Sequence, residues 1–346
     1  MITPLPLTVF TSARFADHLT PPGHPERAER AEVMQHVVSQ WRKRGGAVEE
    51  PQPVTIEQLA RVHESDYITL IRETAGRAVA LDPDTFTSPD TYDVTCLAAG
   101  AASQAVDHVL EKPGRCAMAV VRPPGHHAER AKAMGFCFFN NVAVAAAQAR
   151  ARGVSRVAIV DYDVHHGNGT QWTFYDDPSI LYVSSHQYPY YPGTGAAADV
   201  GRDKGAGSTV NLPLEAGGTD ADYELVYQRV AMPVLRQFKP ELILISAGFD
   251  AHHRDPLAGM RLTTQQFGRL TALIAGVAAD VCAGRVVALT EGGYDLHALA
   301  ASLDVAIHVL AGESGLDDFP APQGTTPRGD ACLRVVTPEV NRFWQL

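Results

Sequence analysis

The sequence predicts an α/β fold built on one mostly parallel sheet, and three features of the chain lead to this prediction. Short apolar runs alternate with helical segments, which is typical of strand–helix–strand units. Four of these runs end directly in a polar group rich in Gly, His or Asp, as expected where parallel strands present a ligand-binding edge. No internal repeat or change of composition divides the 346 residues, so we expect a single domain over residues 1–346.

Composition and charge narrow the classes of function. The chain carries a net charge of -10 and no Lys/Arg run suited to tracking phosphates, which argues against a nucleic-acid partner. No apolar run approaches the roughly 18 residues of a membrane span, and the N-terminus lacks the pattern of a secretory signal. The five cysteines are widely spaced and form no CxxC pair, so we expect reduced thiols and a cytoplasmic location.

The first third of the chain predicts one strand and four helices. Residues 28–44 place several valines and Trp41 on a common apolar stripe, and Gly45 and Gly46 end this helix. Residues 92–110 are rich in alanine, which has the highest helix propensity. The predicted elements are a strand at 8–11 and helices at 28–44, 56–62, 67–75 and 92–110.

From residue 117 onwards, five apolar runs predict buried strands, and the longer segments between them predict helices. The Gly/Pro/Tyr-rich segment 186–207 and the Pro/Gly-rich segment 312–328 are predicted to be loops, and the closing stretch is predicted to hold a short strand or helix. The predicted strands are 117–121, 157–160, 180–184, 242–246 and 286–289, and the helices are 141–151, 223–238, 267–282 and 296–310.

The stretch 157–171 combines a buried strand with a high density of polar residues. Its apolar run is followed by Asp161, Asp163 and His165, which share one face of an extended chain because side chains two residues apart point the same way. Carboxylate and imidazole groups on one face make up half of a divalent-metal site. The alternative is a strand end capped by hydrogen-bonded Asp and His side chains, and this stretch alone leaves both open.

Three other predicted strands end in polar groups of a similar kind. His126 and His127 follow one strand, Asp250 follows the next, and Tyr294 follows the last. Each group alone has a structural explanation, as a surface histidine pair, a turn cap or a packed aromatic ring. If the strands are parallel, however, all four groups meet at one edge of the sheet, and their joint placement predicts a functional site.

The residue types of this predicted site indicate metal-assisted hydrolysis. Asp163, His165 and Asp250 would provide three protein ligands and leave one position open, which is the pattern of a catalytic zinc site. The histidine pair can exchange protons near neutral pH, and the tyrosine hydroxyl can donate to an oxyanion. Such a set can hydrolyse an amide without a Ser or Cys nucleophile, and the sequence contains no GxSxG motif.

Five motifs occur in order along the chain: Arg122-Pro-Pro-Gly-His-His-Ala128, Gly135-Phe-Cys-Phe-Phe-Asn140, Asp161-Tyr-Asp-Val-His-His-Gly-Asn-Gly-Thr-Gln171, Ser246-Ala-Gly-Phe-Asp-Ala251 and Glu291-Gly-Gly-Tyr294. In these motifs the sequence resembles the zinc-dependent histone deacetylase family, especially its class II branch and its bacterial amidohydrolase members. The resemblance covers about residues 5–310 and leaves 312–346 as a C-terminal extension that we expect to pack on the core. It implies the arginase/deacetylase fold, with a sheet of about eight strands flanked by helices, and hydrolysis of an acylated amine, typically an acetyl-lysine side chain.

The resemblance also implies roles for individual residues. The matched catalytic and metal positions are Asp163, His165 and Asp250 for zinc, His126 with its partner Asp161 for electrostatic stabilisation, His127 for the general base, Tyr294 for the tyrosine that polarises the carbonyl, and Asp161, Asp163, His165 and Ser184 for a structural potassium ion. The matched substrate positions are Phe136 and Tyr191 for the tunnel walls, Gly135 for the carbonyl that accepts the substrate amide proton, Asp84 for the rim and Arg30 for an inner cavity.

Three positions depart from patterns found in related branches of the family. Tyr191 stands where Phe is commoner, so the wall gains a hydroxyl but keeps its stacking face. Asn168 stands where class I members have Asp, and a neutral partner favours an uncharged imidazole. We therefore expect His127 to be the base, while His126, paired with Asp161, stays protonated. Leu257 stands where polyamine-preferring relatives carry Glu, so a charge-assisted contact to a distant substrate cation is missing. Acyl-lysine-like substrates are thus expected to be used at least as well as acetylspermidine.

Several alternatives stay open at this point. An acetylpolyamine or small-amide amidohydrolase is the second possibility within enzymes, and an inactive acyl-lysine-binding protein is a third, although a reader needs no base. An arginase-type hydrolase would need two metal ions, and ligands for a second one are not evident. The sequence does not decide between zinc and iron, the acyl length, or whether segments 186–207 and 312–346 mediate a homo-oligomer.

Overall fold

The computed structural model of the protein describes residues 7–346, and its central element is an eight-stranded sheet whose neighbouring strands are all parallel. This confirms the predicted fold class. Residues 5 and 6, where the resemblance begins, lie outside the described residues. The strands are β1 (Leu7–Phe10), β2 (Ala47–Glu49), β3 (Cys116–Ala119), β4 (Val157–Asp161), β5 (Ile180–Gln187), β6 (Thr209–Leu214), β7 (Leu242–Ala247) and β8 (Val286–Thr290), in the spatial order β2-β1-β3-β8-β7-β4-β5-β6.

Helices cover both faces of the sheet. None of the helices within residues 7–346 combines the length and the apolar character that a membrane crossing requires. The helices are α1 (Glu29–Lys43), α2 (Ile56–Leu59), α3 (Ser65–Arg72), α4 (Thr91–Glu111), α5 (Asn141–Ala151), α6 (Asn168–Phe174), α7 (Asp220–Val226), α8 (Met232–Phe238), α9 (Thr264–Cys282), α10 (Leu296–Leu310) and α11 (Pro327–Val340).

Strand β4 shows why the central strands are continuous apolar runs. Ala158 and Val160 pack in the apolar cluster that contains α1 and α7 to α10, whereas Val157 and Ile159 pack in the cluster that contains α4 and α5. Successive side chains of a strand point to opposite faces, and here both faces are covered by helices. Every position of the strand is therefore buried, which gives the run its uniform apolar character.

The sequence pattern misses the two edge strands of the sheet. Strand β2 has only three residues and is partly exposed, so it lacks an apolar signature. Strand β6 contains Pro213, which argues against a strand when only the sequence is considered. Proline is nevertheless tolerated at the edge of a sheet. The loop predicted over 186–207 is wrong at its start, because β5 continues to Gln187.

Several helical segments also differ from the prediction, and α6 lies where no helix is predicted. The helix expected at 223–238 begins at Asp220, where the Thr219 side chain caps it, and its middle turn, Tyr227–Ala231, is π-helical. In the C-terminal segment, α11 packs against α7 and β6 and buries apolar side chains, including Val336, in the main cluster.

The register of the central strands determines where the polar groups meet. Asp161 at the end of β4 is paired with Ser246 of β7, and Ala247 of β7 is paired with Thr290 of β8. The polar segments that follow these three strands therefore leave the sheet side by side, at its carboxyl edge.

A buried ion cluster supports the loop that follows β8. Glu26, Arg30 and Arg122 are fully buried, and Glu26 Oε1 accepts from Arg30 Nη1 at 2.9 Å and from Arg122 Nε at 2.6 Å. Arg30 also donates to the main-chain oxygens of Glu291 and Gly293. The cluster therefore links the segment before α1 to the loop that carries the predicted tyrosine.

We expect Glu26→Ala to lower the free energy of unfolding by about 3–5 kcal/mol, because it leaves two buried guanidinium groups without their anion. Burial alone would raise the pKa of Glu26, but Arg122 and Arg30 outweigh it and hold the pKa below its ordinary value of 4.5. The carboxylate therefore stabilises the folded protein fully above pH 4.5, and this stabilisation is lost as the pH falls through its lowered pKa. Urea unfolding at neutral pH measures the effect, with Glu57→Ala in an exposed pair as the control at about 0.5 kcal/mol or less. Equal changes in the two variants would contradict the expectation.

Candidate active site

Asp163, His165 and Asp250 form a compact buried cluster at the carboxyl ends of β4 and β7. One possible ligand atom from each residue lies within 4.8 Å of the other two. The Nδ1 atom of His165 is 3.2 Å from Asp163 Oδ1 and 3.1 Å from Asp250 Oδ2. The structure thus brings together the three residues that the sequence assigns to a metal site.

Main-chain donors orient both carboxylates of this cluster. The N–H group of Gly292 donates to Asp163 Oδ2 at 2.8 Å, and that of Val164 donates to Asp250 Oδ1 at 2.9 Å. Glycine is required at positions 248 and 292, since a Cβ atom at either position would overlap a carboxylate of the cluster. The close approach of the backbone therefore fixes the direction in which the carboxylates point.

This set of donor groups fits a divalent cation. Two carboxylates and one imidazole, all buried, are ligands typical of a catalytic zinc site, and Fe(II) accepts the same ligand types. His165 also lines the cavity described below, so an ion held here would face that cavity.

His126 is surrounded by carboxylates and favours its protonated form. Its Nδ1 atom is 3.1 Å from Asp161 Oδ2, which also accepts from the hydroxyl of Tyr182 at 3.0 Å. Burial alone would lower the pKa of His126, but the charges of Asp163, Asp161 and Glu291 outweigh burial and raise the pKa to about 10. A cation on Asp163 would offset part of this increase.

His127 has the opposite preference, although it is the next residue. Burial lowers the pKa of His127 well below its ordinary value, and the neighbouring His126 and His165 lower it further. Its Nδ1 atom is 2.8 Å from Oδ1 of Asn168, which is uncharged. The two adjacent rings, whose centroids are 4.0 Å apart, are therefore driven to different protonation states, as acid and base roles require.

A cavity of about 160 Å³ lies beside the metal cluster and the histidine pair. Its walls are mostly aromatic and include one carboxylate and one leucine. A larger cavity of about 600 Å³ shares Leu257 and Tyr294 with it but does not reach the metal cluster. The smaller cavity is lined by Asp84, His127, Gly135, Phe136, His165, Tyr190, Tyr191, Leu257 and Tyr294.

Two consecutive residues with positive φ direct one aromatic wall into this cavity. Gly135 has a φ of 57°, and a Cβ atom there would meet Cδ2 of His127 at 2.5 Å. Phe136 has a φ of 69°, which is strained for a bulky residue. The hydroxyl of Thr85 accepts from the Phe136 N–H at 3.1 Å, and the Phe136 ring packs edge-on against Tyr294 with centroids 5.8 Å apart. These contacts hold Phe136 in its strained conformation and so maintain the position of the wall.

The structure distributes the other predicted site residues unevenly. Asp84, Tyr191 and Leu257 line the cavity, whereas Arg30 is not among its lining residues. The Arg30 guanidinium instead lies 4.9 Å from the centroid of the Tyr294 ring, on the side of the buried ion cluster. On the neighbouring strand β5, Ser184 is in register with Asp161. Substrate and potassium roles of these residues stay predictions.

Sequence reasoning missed two residues that shape this cavity. The ring of Tyr190 stacks on His165, and its hydroxyl donates to the Leu257 carbonyl at 2.6 Å. The Asp255 carboxylate accepts from the N–H groups of Tyr294 at 2.6 Å and Leu257 at 3.0 Å. Their positions in the sequence could have suggested a role in the cavity. Tyr190 precedes the predicted wall residue Tyr191, and Asp255 lies two residues before Leu257.

Comparison with known protein families matches residues 24–310, most of the chain, to the histone deacetylase domain. The chain belongs to the histone deacetylase family. This confirms the resemblance seen in the five motifs, and the deacetylases and amidohydrolases of this family indicate that the protein is an enzyme of the same hydrolase class.

Individual relatives of this histone deacetylase family member support the assignment. A probable deacetylase of Archaeoglobus fulgidus is 37% identical over 309 residues, covering 88% of this chain and 85% of the relative. The human polyamine deacetylase HDAC10 is 42% identical over 290 residues, or 78% of this chain and 41% of that protein. The histone deacetylase-like amidohydrolase of Pseudomonas aeruginosa is 43% identical over 246 residues, or 70% and 64% of the two chains.

A solved structure extends the agreement to the whole fold. The crystal structure of the HDA15 HD domain superimposes with a TM-score of 0.89 at 34% identity, covering 98% of this chain and 95% of that one. The arrangement of one parallel sheet between helices is therefore shared with a histone deacetylase domain.

We expect the protein to bind one divalent ion per chain at the Asp163–His165–Asp250 cluster. Asp250→Ala should weaken binding by more than about 100-fold, since losing a ligand costs more than losing a group that only orients one. Isothermal titration of the metal-free protein with Zn²⁺ measures this. Asp84→Ala, which removes a carboxylate from the same cavity outside the cluster, is the control and should bind as the parent does. Unchanged affinity in Asp250→Ala would place the ion elsewhere.

Proposed function

We propose that the protein is a zinc-dependent hydrolase of N-acyl amides whose substrates are acetyl-lysine side chains or closely related acylated amines. The observation that carries this proposal is the pair of buried histidines with opposite protonation preferences beside the metal cluster. A protein that only bound acyl-lysine would need neither a proton acceptor nor a fixed positive charge at this point. The narrow aromatic cavity in addition suits a linear aliphatic side chain.

The chain's own groups can carry out the attack of water on the acyl carbon. A zinc ion held by the metal cluster would supply Lewis acidity towards a water molecule and towards the acyl carbonyl. His127 accepts one proton of the water as its oxygen forms a bond to the acyl carbon. The Tyr294 hydroxyl, whose pKa burial raises well above the usual value, stays protonated and donates to the carbonyl oxygen as negative charge develops there. His126, charged and paired with Asp161, stabilises the same negative charge.

The proton taken from water is returned when the C–N bond breaks. The proton held by His127 passes to the leaving nitrogen, so the products are a carboxylic acid and a free amine. We assign Phe136 and Tyr191 to the walls that enclose the aliphatic part of the substrate and keep water out. The carbonyl of Gly135 is assigned to accept the substrate amide N–H, and Asp84 to contact the substrate at the opening.

The proposal includes a second ion and a cellular location. We assign a structural potassium ion to Asp161, Asp163, His165 and Ser184, partly through main-chain carbonyls. The register of Asp161 with Ser184 on adjacent strands supports this grouping. Five free cysteines, four of them buried, suit the reducing conditions of the cytoplasm.

Acetylpolyamine hydrolysis is the second candidate function, and a carboxyl group in the lining of the cavity favours it. Asp84 lines the cavity, and burial together with the charge of Asp82 raises the pKa of Asp84. Two adjacent carboxyl groups would attract the distant ammonium group of a polyamine. Leu257, which also lines the cavity, offers no such charge and favours the acyl-lysine substrate.

We expect His127→Ala to lower kcat/KM for a fluorogenic acetyl-lysine peptide by about 10²–10⁴-fold, because the attacking water loses its proton acceptor. Zinc content and peptide affinity should stay close to those of the parent. Chelation should abolish the activity of the parent protein, and added zinc should restore it. His36→Ala, which removes an exposed histidine from α1, is the matched control. Peptide binding without turnover in the parent would identify an acyl-lysine reader instead.

We expect kcat/KM for an acetyl-lysine peptide to equal or exceed that for acetylspermidine. Leu257→Glu should shift the ratio towards acetylspermidine by about tenfold, since it adds one charge-assisted contact to the distant ammonium group. Leu257→Met, which changes the shape of the wall without adding charge, is the control. A hundredfold preference of the parent protein for acetylspermidine would overturn the acyl-lysine assignment in favour of the second candidate.

A further inference from the structure

Asn168 connects His127 to a carboxylate that has no role in the mechanism above. Oδ1 of Asn168 lies 2.8 Å from Nδ1 of His127, and its Nδ2 donates to Oε1 of Glu129 at 2.7 Å. Asn168 and His127 are buried, whereas Glu129 is half-buried. The three side chains thus form a hydrogen-bonded chain that runs outward from the proposed base.

The orientation of the Asn168 amide decides which nitrogen of His127 carries the proton. An amide has one accepting end and one donating end, and a neutral imidazole has one nitrogen of each kind. With Oδ1 towards the ring, Nδ1 of His127 must donate, and the Nε2 lone pair is left to accept a proton. With Nδ2 towards the ring, the proton would lie on Nε2, and that nitrogen could not act as a base.

We propose that Glu129 is a positioning residue, which fixes the Asn168 amide so that neutral His127 keeps its proton on Nδ1. A carboxylate only accepts hydrogen bonds, so it selects the Nδ2 end of Asn168 and turns Oδ1 towards the ring. This inference rests on the proposed function, because it concerns the base of that reaction.

The surrounding backbone holds Glu129 at the required distance. The main-chain oxygen of Glu129 accepts from Nδ1 of His63 at 3.0 Å. A Cβ atom at Gly169 would overlap the main chain of Ala128, so the start of α6 packs directly on the segment that carries His127 and Glu129. Tight main-chain packing therefore fixes the distance between the backbones of Glu129 and Asn168. The Glu129 side chain only has to span this fixed distance.

The combination of a neutral amide and a more distant carboxylate also suits a base that must be uncharged at rest. A carboxylate in direct contact with His127 would favour the imidazolium before the substrate arrives. Across the amide, the charge of Glu129 is felt more weakly in the resting state. It still polarises the hydrogen-bonded chain in the direction that stabilises the imidazolium formed during the reaction.

The first test measures the tautomer of His127 directly. Long-range ¹H–¹⁵N NMR spectra of protein labelled at histidine distinguish Nδ1–H from Nε2–H, and the His127 signals are identified by their loss in His127→Ala. We expect Nδ1–H in the parent, mainly Nε2–H in Glu129→Leu, and a pattern close to the parent in Glu129→Gln, whose amide oxygen can still accept. An unchanged tautomer in Glu129→Leu would overturn the proposal. Because no turnover is needed, this result is separate from success or failure of the proposed function.

The second test is a double-mutant cycle that a merely structural role could not reproduce. Glu129→Leu should lower kcat for the acetyl-lysine peptide at least about tenfold, with KM within about twofold, because most of the protein lacks a usable base. In the Asn168→Asp background, both oxygens at position 168 accept, so no orientation has to be fixed. There Glu129→Leu should leave kcat unchanged or raise it.

Equal losses of kcat in the two backgrounds would contradict the proposal. Thermal unfolding of each variant checks that the fold is intact. Should Glu129→Leu fail to fold, Glu129→Met removes the same acceptor with a more adaptable side chain and takes its place in both tests.

Discussion

The structure depends on one electrostatic constraint, which is that several carboxyl groups lie together in the interior at the edge where the strands end. Asp161, Asp163, Asp250, Asp255 and Glu291 are all buried. Burial raises the pKa of Asp255 and of Glu291 to about 7, and nearby carboxylates add to the increase in each case. Imidazoles and main-chain N–H groups offset only part of this charge. The site therefore favours a bound cation, which would lie beside the one histidine of the pair that is driven to be neutral.

The parallel sheet that creates this constraint could be predicted from the sequence, because its central strands are buried on both faces. Runs such as 157–160 and 242–246 show this directly, and the polar residues that follow them mark the edge of the sheet. Strands β2 and β6 could not be predicted in the same way. One is three residues long and partly exposed, and the other contains Pro213. Their place depends on pairing with β1 and β5, which no local pattern contains.

The site, like the sheet, contains residues that could be predicted from the sequence and residues that could not. The residues to which we assign a chemical role stand in contiguous motifs after the strands, and the structure brings the metal cluster and both histidines together. Asp161 and Asn168, which contact the histidines, lie within one of these motifs. The other orienting residues could not be predicted, because each acts across the fold. Glu129 meets Asn168 from 39 positions away, and Tyr190 meets Leu257 from 67 positions away. An acid or a tyrosine at such a position carries no periodic signal, so only the folded backbone reveals its partner.

One of these orienting residues, Asp255, connects the residue proposed to select the substrate with the proposed oxyanion donor. Its carboxylate accepts from the N–H of Tyr294 and from that of Leu257, while the Tyr190 hydroxyl donates to the Leu257 carbonyl. The proposed oxyanion donor and the proposed selective wall thus share an anchor that contacts main chain alone. A new side chain at position 257 can change the wall without disturbing these bonds. Loss of Asp255 would displace the wall and the tyrosine together, so substrate preference can vary at 257 while the reaction geometry is retained.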